Sequence, residues 1–400
     1  MKVQAAGRKI PMLDLRLQYE RMRGDIDRAI ERCLGHQNWI FGPEVRELEE
    51  KIGAYMNARH CVGSSSGAEA LVLALRCQAI KRGREFFDRR DEIITAPFTS
   101  TATGGAILRS GATPVFIDIE PLTFNIDTVK LREYLESGPG RAVGIIPVHM
   151  YGCPCDMDDI MELAGRFGLF VVEDAAQAFG GAWRGRSLGA IGDAGALSFC
   201  PSGNLGGFGD GGMMVTGNAG TAEIARMLIK HGGRDKYNVE HVGYNARLDT
   251  VQAAVILSKF GHIGELNEGR RKIAGIYSDA FSAMEELALP VEPPAGRHAY
   301  NQYTVRVKGV SPDGRATGLR DGARDDLKQF LSKQGVDTIV RCPVPLHKMK
   351  VFYGRCGAPF ILSESEQAVK EVLSLPMGPF TPEEDIRRVA GLVREFFAQE

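Results

Sequence analysis

No apolar run in this 400-residue chain approaches the ~20 residues that a bilayer-crossing helix needs. Met1 to Leu13 carry basic residues but no apolar stretch long enough for a signal peptide, so the expectation is a cytoplasmic protein with no membrane partner. A charge excess is also missing. Lys and Arg number 49 and Asp and Glu 50, a net charge of -1, which gives no bias toward nucleic acid. The eight cysteines form no recognisable framework: the one close pair, Cys153-Pro-Cys155, has no second pair at zinc spacing, so reduced thiols and no metal site are expected. The glycine run Gly206 to Gly212 lacks the Gly-Lys-Ser/Thr ending of a Walker loop and precedes a strand-like segment, Met213 to Thr216, which argues for a tight turn. Internal repeats and low-complexity tracts are absent.

What is present is the material of an ordinary globular protein, 44% hydrophobic and 25% charged. Leu71 to Ile80 has helical spacing, while Glu92–Thr95, Pro114–Ile117, Val143–Pro147, Leu169–Glu173 and Ala196–Phe199 are short apolar runs separated by helix-length segments. That alternation predicts an α/β fold, a mainly parallel sheet covered by helices on both faces. Ligands in such sheets collect beyond the carboxyl ends of the strands, where Glu173-Asp174 and Ser198 fall. From Leu248 to Met284 the pattern is one or two helices leading into a second domain. There Tyr303–Val307 reads as a strand, Asp325–Gln334 and Pro382–Phe397 as helices, and Ser311–Arg324 as an exposed loop. The expected division is residues 1–255, an amino-terminal arm and a large domain, and residues 256–400, a smaller α+β domain.

Several motifs recur in a fixed order: Phe41-Gly-Pro-Glu44, Ser65-Ser-Gly-Ala-Glu-Ala-Leu71, Pro97-Phe-Thr99, Pro147-Val-His-Met-Tyr-Gly152, Glu173-Asp-Ala-Ala-Gln177, Ser198-Phe199, Gly209-Asp-Gly-Gly212, Asn245-Ala-Arg-Leu248 and Pro345-Leu-His347. In these motifs, which span about Ile10 to Phe397, the chain resembles the DegT/StrS family of sugar aminotransferases. The resemblance implies a fold-type-I, seven-stranded pyridoxal phosphate architecture. It also implies an obligate homodimer and a substrate that is a nucleotide-linked keto-sugar.

The resemblance also implies roles for individual residues. Asp174 would hold the protonated ring nitrogen of the cofactor, keeping the ring an electron sink, and Gln177 would hydrogen-bond the ring hydroxyl. Gly67 and Ala68 open a helix after Ser66, where free N–H groups and the helix dipole favour a phosphate; Ser198 would add a hydroxyl, and Asn245 would reach the phosphate of the neighbouring subunit. Arg341 and His347 are candidate contacts for a substrate diphosphate.

Three departures accompany these motifs. Gly203 stands where the resemblance implies the catalytic lysine, Ala68 where it implies a hydroxyl, and Ser100 where it implies the aromatic residue stacked on the ring. A glycine offers no amine for covalent attachment or proton transfer, so pyridoxal or pyridoxamine phosphate is expected to bind noncovalently. A replacement base would have to come from elsewhere, with His149, His231 and Cys200 as candidates by position. Three outcomes stay open: a divergent aminotransferase, a pyridoxamine phosphate-dependent sugar dehydratase, or a catalytically silent scaffold or partner subunit.

Overall fold

A computed structural model describes residues 8–138, 140–308 and 322–399. Its main sheet has seven strands: β1 (His60–Ser64), β2 (Glu92–Thr95), β3 (Thr113–Phe116), β4 (Ala142–Ile146), β5 (Phe170–Asp174), β6 (Ala194–Ser198) and β7 (Gly212–Thr216), in the spatial order β1-β7-β6-β5-β4-β2-β3. Only β7 runs against its neighbours, pairing antiparallel with both β1 and β6, while β2, β3, β4, β5 and β6 pair in parallel. Strands covered on both faces need apolar side chains on both, which is why β5 opens Phe-Val-Val; all five of its residues are buried, the acids Glu173 and Asp174 at its carboxyl end included.

The connecting helices start where short polar side chains satisfy free N–H groups. Helix α1 (Gly67–Lys81) is capped by Ser66, whose hydroxyl accepts from Glu69, and α2 (Thr101–Arg109) by Ser100, whose hydroxyl accepts from Ala102. The expected helical stretch after Leu248 is two helices, α3 (Thr250–Phe260) and α4 (Ile263–Phe281), separated at Gly261-His262. Residue 255 lies within α3.

Beyond α4 a second, three-stranded sheet joins β8 (Leu287–Ala288), β9 (Tyr303–Val307) and β10 (Val372–Leu375), all antiparallel. Its apolar face packs Tyr303, Val305 and Leu373 against Tyr277 and Phe281 of α4 and against Ile386 and Val393 of the closing helix Glu383–Ala398. The loop expected over 311–324 lies, as far as residue 321, outside the described residues. No helix among the described residues is long and apolar enough to cross a membrane.

Candidate active site

The carboxyl ends of β2, β4, β5 and β6 open onto a cavity of about 590 Å³, within the usual range for a small-molecule site. Gly67, Ala68, Ser100, Asp174, Gln177, Ser198, Cys200 and Gly203 all line it, and Arg341 closes it from the second sheet's side.

Asp174 ends β5 and is 5% exposed. Its carboxylate accepts from the Thr103 hydroxyl at 2.7 Å and the Ala176 N–H at 3.2 Å. Burial pushes its carboxyl above the ordinary range, and these two donors only partly offset that. Among the described residues it has no salt-bridge partner, so a buried acid faces the cavity without a cation. Its neighbour Glu173 is different. Burial would raise that carboxyl too, but the His149 ring and the N–H groups of Gly192 and Gly189 outweigh it and hold the pKa below the usual value.

The phosphate-binding features are equally local. The N–H of Glu69 goes to the Ser66 cap and that of Ala70 to the Ser66 carbonyl, whereas the N–H groups of Gly67 and Ala68 make no hydrogen bond among the described residues. Two free donors at the start of a fifteen-residue helix, beside the Ser198 hydroxyl, form a nest for a dianion. Gly67 is required by packing, because a Cβ there would stand 2.7 Å from Cβ of Ser198. Gly67→Ala is expected to push the helix start off β6. The expected cost is roughly 1–3 kcal/mol of stability, with weaker phosphate binding, measured by thermal melting and by calorimetric titration with pyridoxamine phosphate.

Among the described residues no lysine lines the cavity, and the sequence has none between Lys130 and Lys230. Gly203 sits in a turn closed by its N–H donating to the Cys200 carbonyl at 2.8 Å. The next residue anchors that turn: the Asn204 amide donates to Asn267 Oδ1 and the Ala299 carbonyl, and accepts from Asn301 Nδ2 at 2.9 Å. Neither sequence pattern nor motif points to this buried amide cluster, whose members lie up to 97 residues apart in the chain.

Not every expected site residue reaches the cavity. His149 is fully buried behind β5, its Nδ1 accepting from the Cys155 N–H at 3.1 Å and its Nε2 bonded to Glu173 at 3.0 Å, so both ring nitrogens are engaged and it supplies no base to the site. His231 is exposed on a loop, with a left-handed φ of 71°, and is off the cavity wall. His347 turns away as well: its Nε2 pairs with Glu366 at 3.0 Å while residues on either side of it, Val344 and Met349, line the wall. Of the three candidate bases only Cys200 lines the cavity, with its thiol 3.7 Å from the Ser202 hydroxyl. Arg341 lines the cavity and makes no ion pair among the described residues. Asn245 lies off this chain's cavity, exposed beside a loop whose Tyr237, Val239 and Val242 are also exposed.

The comparisons with known proteins establish the family. Residues 20–394 match the DegT/DnrJ/EryC1/StrS aminotransferase family, and the chain belongs to it. A pleiotropic regulatory protein of Geobacillus stearothermophilus is 40% identical over 97% of this chain and 98% of its own. A UDP-N-acetyl-3-dehydro-alpha-D-glucosamine 3-aminotransferase of Acidithiobacillus ferrooxidans is 37% identical over 96% and 97%. A Bacillus subtilis protein solved with its cofactor pyridoxamine phosphate bound superimposes with a TM-score of 0.85 at 27% identity, covering 99% of this chain and 87% of that one. The fold is that of the pyridoxal phosphate-dependent aminotransferases, and the family's cofactor is pyridoxal or pyridoxamine phosphate.

Proposed function

We propose that this chain binds pyridoxamine or pyridoxal phosphate noncovalently and acts on a nucleotide-linked keto-sugar. The observation that carries the reading is the pairing of a retained cofactor pocket with a missing amine. Asp174 is a buried, uncompensated acid suited to a protonated ring nitrogen, Gly67 and Ala68 offer free N–H donors to a phosphate, and no lysine lines the wall at Gly203. Bound there, the cofactor supplies an electron-withdrawing ring and the group to be exchanged. The chain's own residues do the rest. Asp174 holds a proton on the ring nitrogen, the start of α1 and Ser198 anchor the phosphate, and Arg341, unpaired at the cavity wall, orients an anionic portion of the substrate. Cys200 lines the cavity, and its thiol moves a proton at the site in place of the missing amine in this proposal.

Asn245 completes the phosphate site of a second copy in this reading. The exposed apolar residues Trp39, Ile40 and Phe41 support a homodimer, since Ile40 is bridged to Asp249, close in sequence to Asn245 and the exposed Val242. Arg341 and the 3-oxo sugar named for the Acidithiobacillus relative favour a nucleotide-linked 3-oxo sugar as substrate.

The test is calorimetric titration of the purified protein with each cofactor form, followed by incubation with a 3-oxo nucleotide sugar. Binding of pyridoxamine phosphate with amino transfer to that sugar is the expected result. In a parallel incubation with a 4-oxo nucleotide sugar that carries a 3-hydroxyl, loss of that hydroxyl would replace the reading with a dehydratase, and a folded dimer that binds neither cofactor form would leave a silent scaffold.

A further inference from the structure

Gln177 lines the cavity with an amide whose orientation is fixed from behind. Its Oε1 accepts the backbone N–H of Tyr151 at 2.9 Å. A backbone N–H can only donate, so the amide must turn its oxygen toward Tyr151 and leave its NH2 group for the cavity, with the Met150 thioether 4.0 Å away as its other neighbour. Gln177 is thus presented as a donor.

Tyr151 holds an unusual backbone to do this. In the short turn Met150–Gly152 it has φ 58° and ψ 6°, a left-handed conformation that a residue with a Cβ adopts reluctantly. The turn is tied at both ends: the Met150 N–H donates to Asn125 Oδ1 at 2.9 Å, and Asn125 Nδ2 donates to the Cys153 carbonyl at 3.1 Å. The Tyr151 ring is buried edge-on against Phe124 and Phe98, with centroids at 5.6 and 6.3 Å. Among the described residues its hydroxyl makes no hydrogen bond of good geometry, with the Thr304 hydroxyl, itself bonded to Ser374, as its polar neighbour, so packing of the ring is the main anchor of the turn.

We propose that Tyr151 is a positioning residue: its packed ring holds the backbone left-handed, and the N–H so placed locks Gln177 as a hydrogen-bond donor to an anionic ring oxygen of the bound ligand. Together with Asp174, an acceptor at the other edge, the pocket then selects a pyridine carrying its proton on nitrogen and none on the ring oxygen. The inference rests on the cofactor reading above.

Two observables test it: calorimetric affinity for pyridoxamine phosphate, and the pH at which the bound ring hydroxyl titrates, followed by absorbance. Tyr151→Phe keeps the ring and should match the parent in both. Tyr151→Leu keeps apolar bulk but not the ring's anchorage; it should bind about tenfold more weakly, as for one lost hydrogen bond, and the ring hydroxyl should titrate at higher pH. Tyr151→Asn, a residue that tolerates left-handed backbone, should fall between them, and keeps the test alive if the leucine variant does not fold. Gln177→Ala should reproduce the Tyr151→Leu behaviour, and adding Tyr151→Leu to it should cost nothing further, because both changes remove one coupled contact. A leucine variant that loses as much affinity with Gln177→Ala as without it, or that leaves the ring titration unmoved, overturns the positioning role alone. A parent protein that binds no pyridoxamine phosphate overturns the cofactor reading and this inference with it.

Discussion

Gly203→Lys is expected to convert a protein that takes no covalent cofactor into one that does. After incubation with pyridoxal phosphate and borohydride, the variant should carry one phosphopyridoxyl group within residues 198–210, and the parent none. The structure supports accommodation of the side chain. Gly203 has no left-handed φ, so an L-residue is not strained there, and its Cβ would stand 3.1 Å from the Cys200 carbonyl and 3.5 Å from that of Ser198, a tight fit that a shift of a few tenths of an ångström relieves. The Asn204 cluster holds the turn independently of residue 203. An amine placed in this cavity loses part of its hydration, which lowers its pKa and favours the nucleophilic free base. A folded variant that binds pyridoxamine phosphate as the parent does, yet takes no label from pyridoxal phosphate, would show that the turn does not aim at the ring. Residues 198–210 of the parent contain no amine side chain, so a label found elsewhere on the parent would show that a lysine outside this turn carries the cofactor. Ser100 is committed to capping α2 and leaves the ring without a stacked aromatic neighbour, so recovery of amino transfer should be weaker than recovery of the label.

Much of the fold was legible because its signals are local. Glu92–Thr95 and Tyr303–Val307 have the bounds that alternation and β-branching suggest, and β5 differs from expectation by one residue at each end. Apolar period shows this helix only from Leu71, but its start at Gly67 was legible from the Ser66 cap that precedes it. Strand β1 was not legible. His-Cys-Val-Gly-Ser has one β-branched residue and exists through its antiparallel pairing with β7, about 150 residues away in the chain. Strand β10 likewise follows the helix Ser363–Glu371 with no turn residue between them, so no local break marks it. The same distinction governs the cavity. Strand ends could be read from the sequence, and they bring Asp174, Ser198 and Gly203 to one cavity. His149 and His347 are drawn away by Glu173 and Glu366, 24 and 19 residues distant, partners that no spacing rule reveals.

Asp174→Asn should strengthen the empty protein while disabling it. Burial holds the Asp174 carboxyl above the ordinary range. An acid whose folded pKa exceeds its unfolded one contributes stability that is complete below the ordinary carboxylate pKa and is lost as pH rises through the raised value. Above that raised value the cofactor-free protein therefore carries a buried anion with no cation beside it among the described residues. Asparagine removes that charge and can keep the hydrogen bonds: its oxygen takes the Ala176 N–H, and its amide donates to the Thr103 hydroxyl, which can turn toward Thr99 Oγ1 at 3.2 Å. The cofactor-free variant should melt roughly 2–4 °C above the parent at a pH above the raised value, about 1 kcal/mol, and the gap should close as pH falls below it, where the parent is protonated too. Binding should move the opposite way. With no carboxylate to hold the proton on the ring nitrogen, affinity for pyridoxamine phosphate should fall on the order of 100-fold, the scale for deleting one member of a buried charge pair. Cys153→Ala is the contrast, because that thiol packs near the Val291 carbonyl away from the cavity; it should cost stability but leave affinity within about twofold, because it removes only the thiol and keeps the Cys153 carbonyl that ties the Tyr151 turn. Equal affinities for pyridoxamine phosphate in Asp174→Asn and Cys153→Ala would remove the ring from Asp174. A melting point for cofactor-free Asp174→Asn that stays below the parent's at every pH would mean instead that the Thr99–Thr103 pair cannot reorient, and that the carboxyl is what these hydroxyls are arranged to receive.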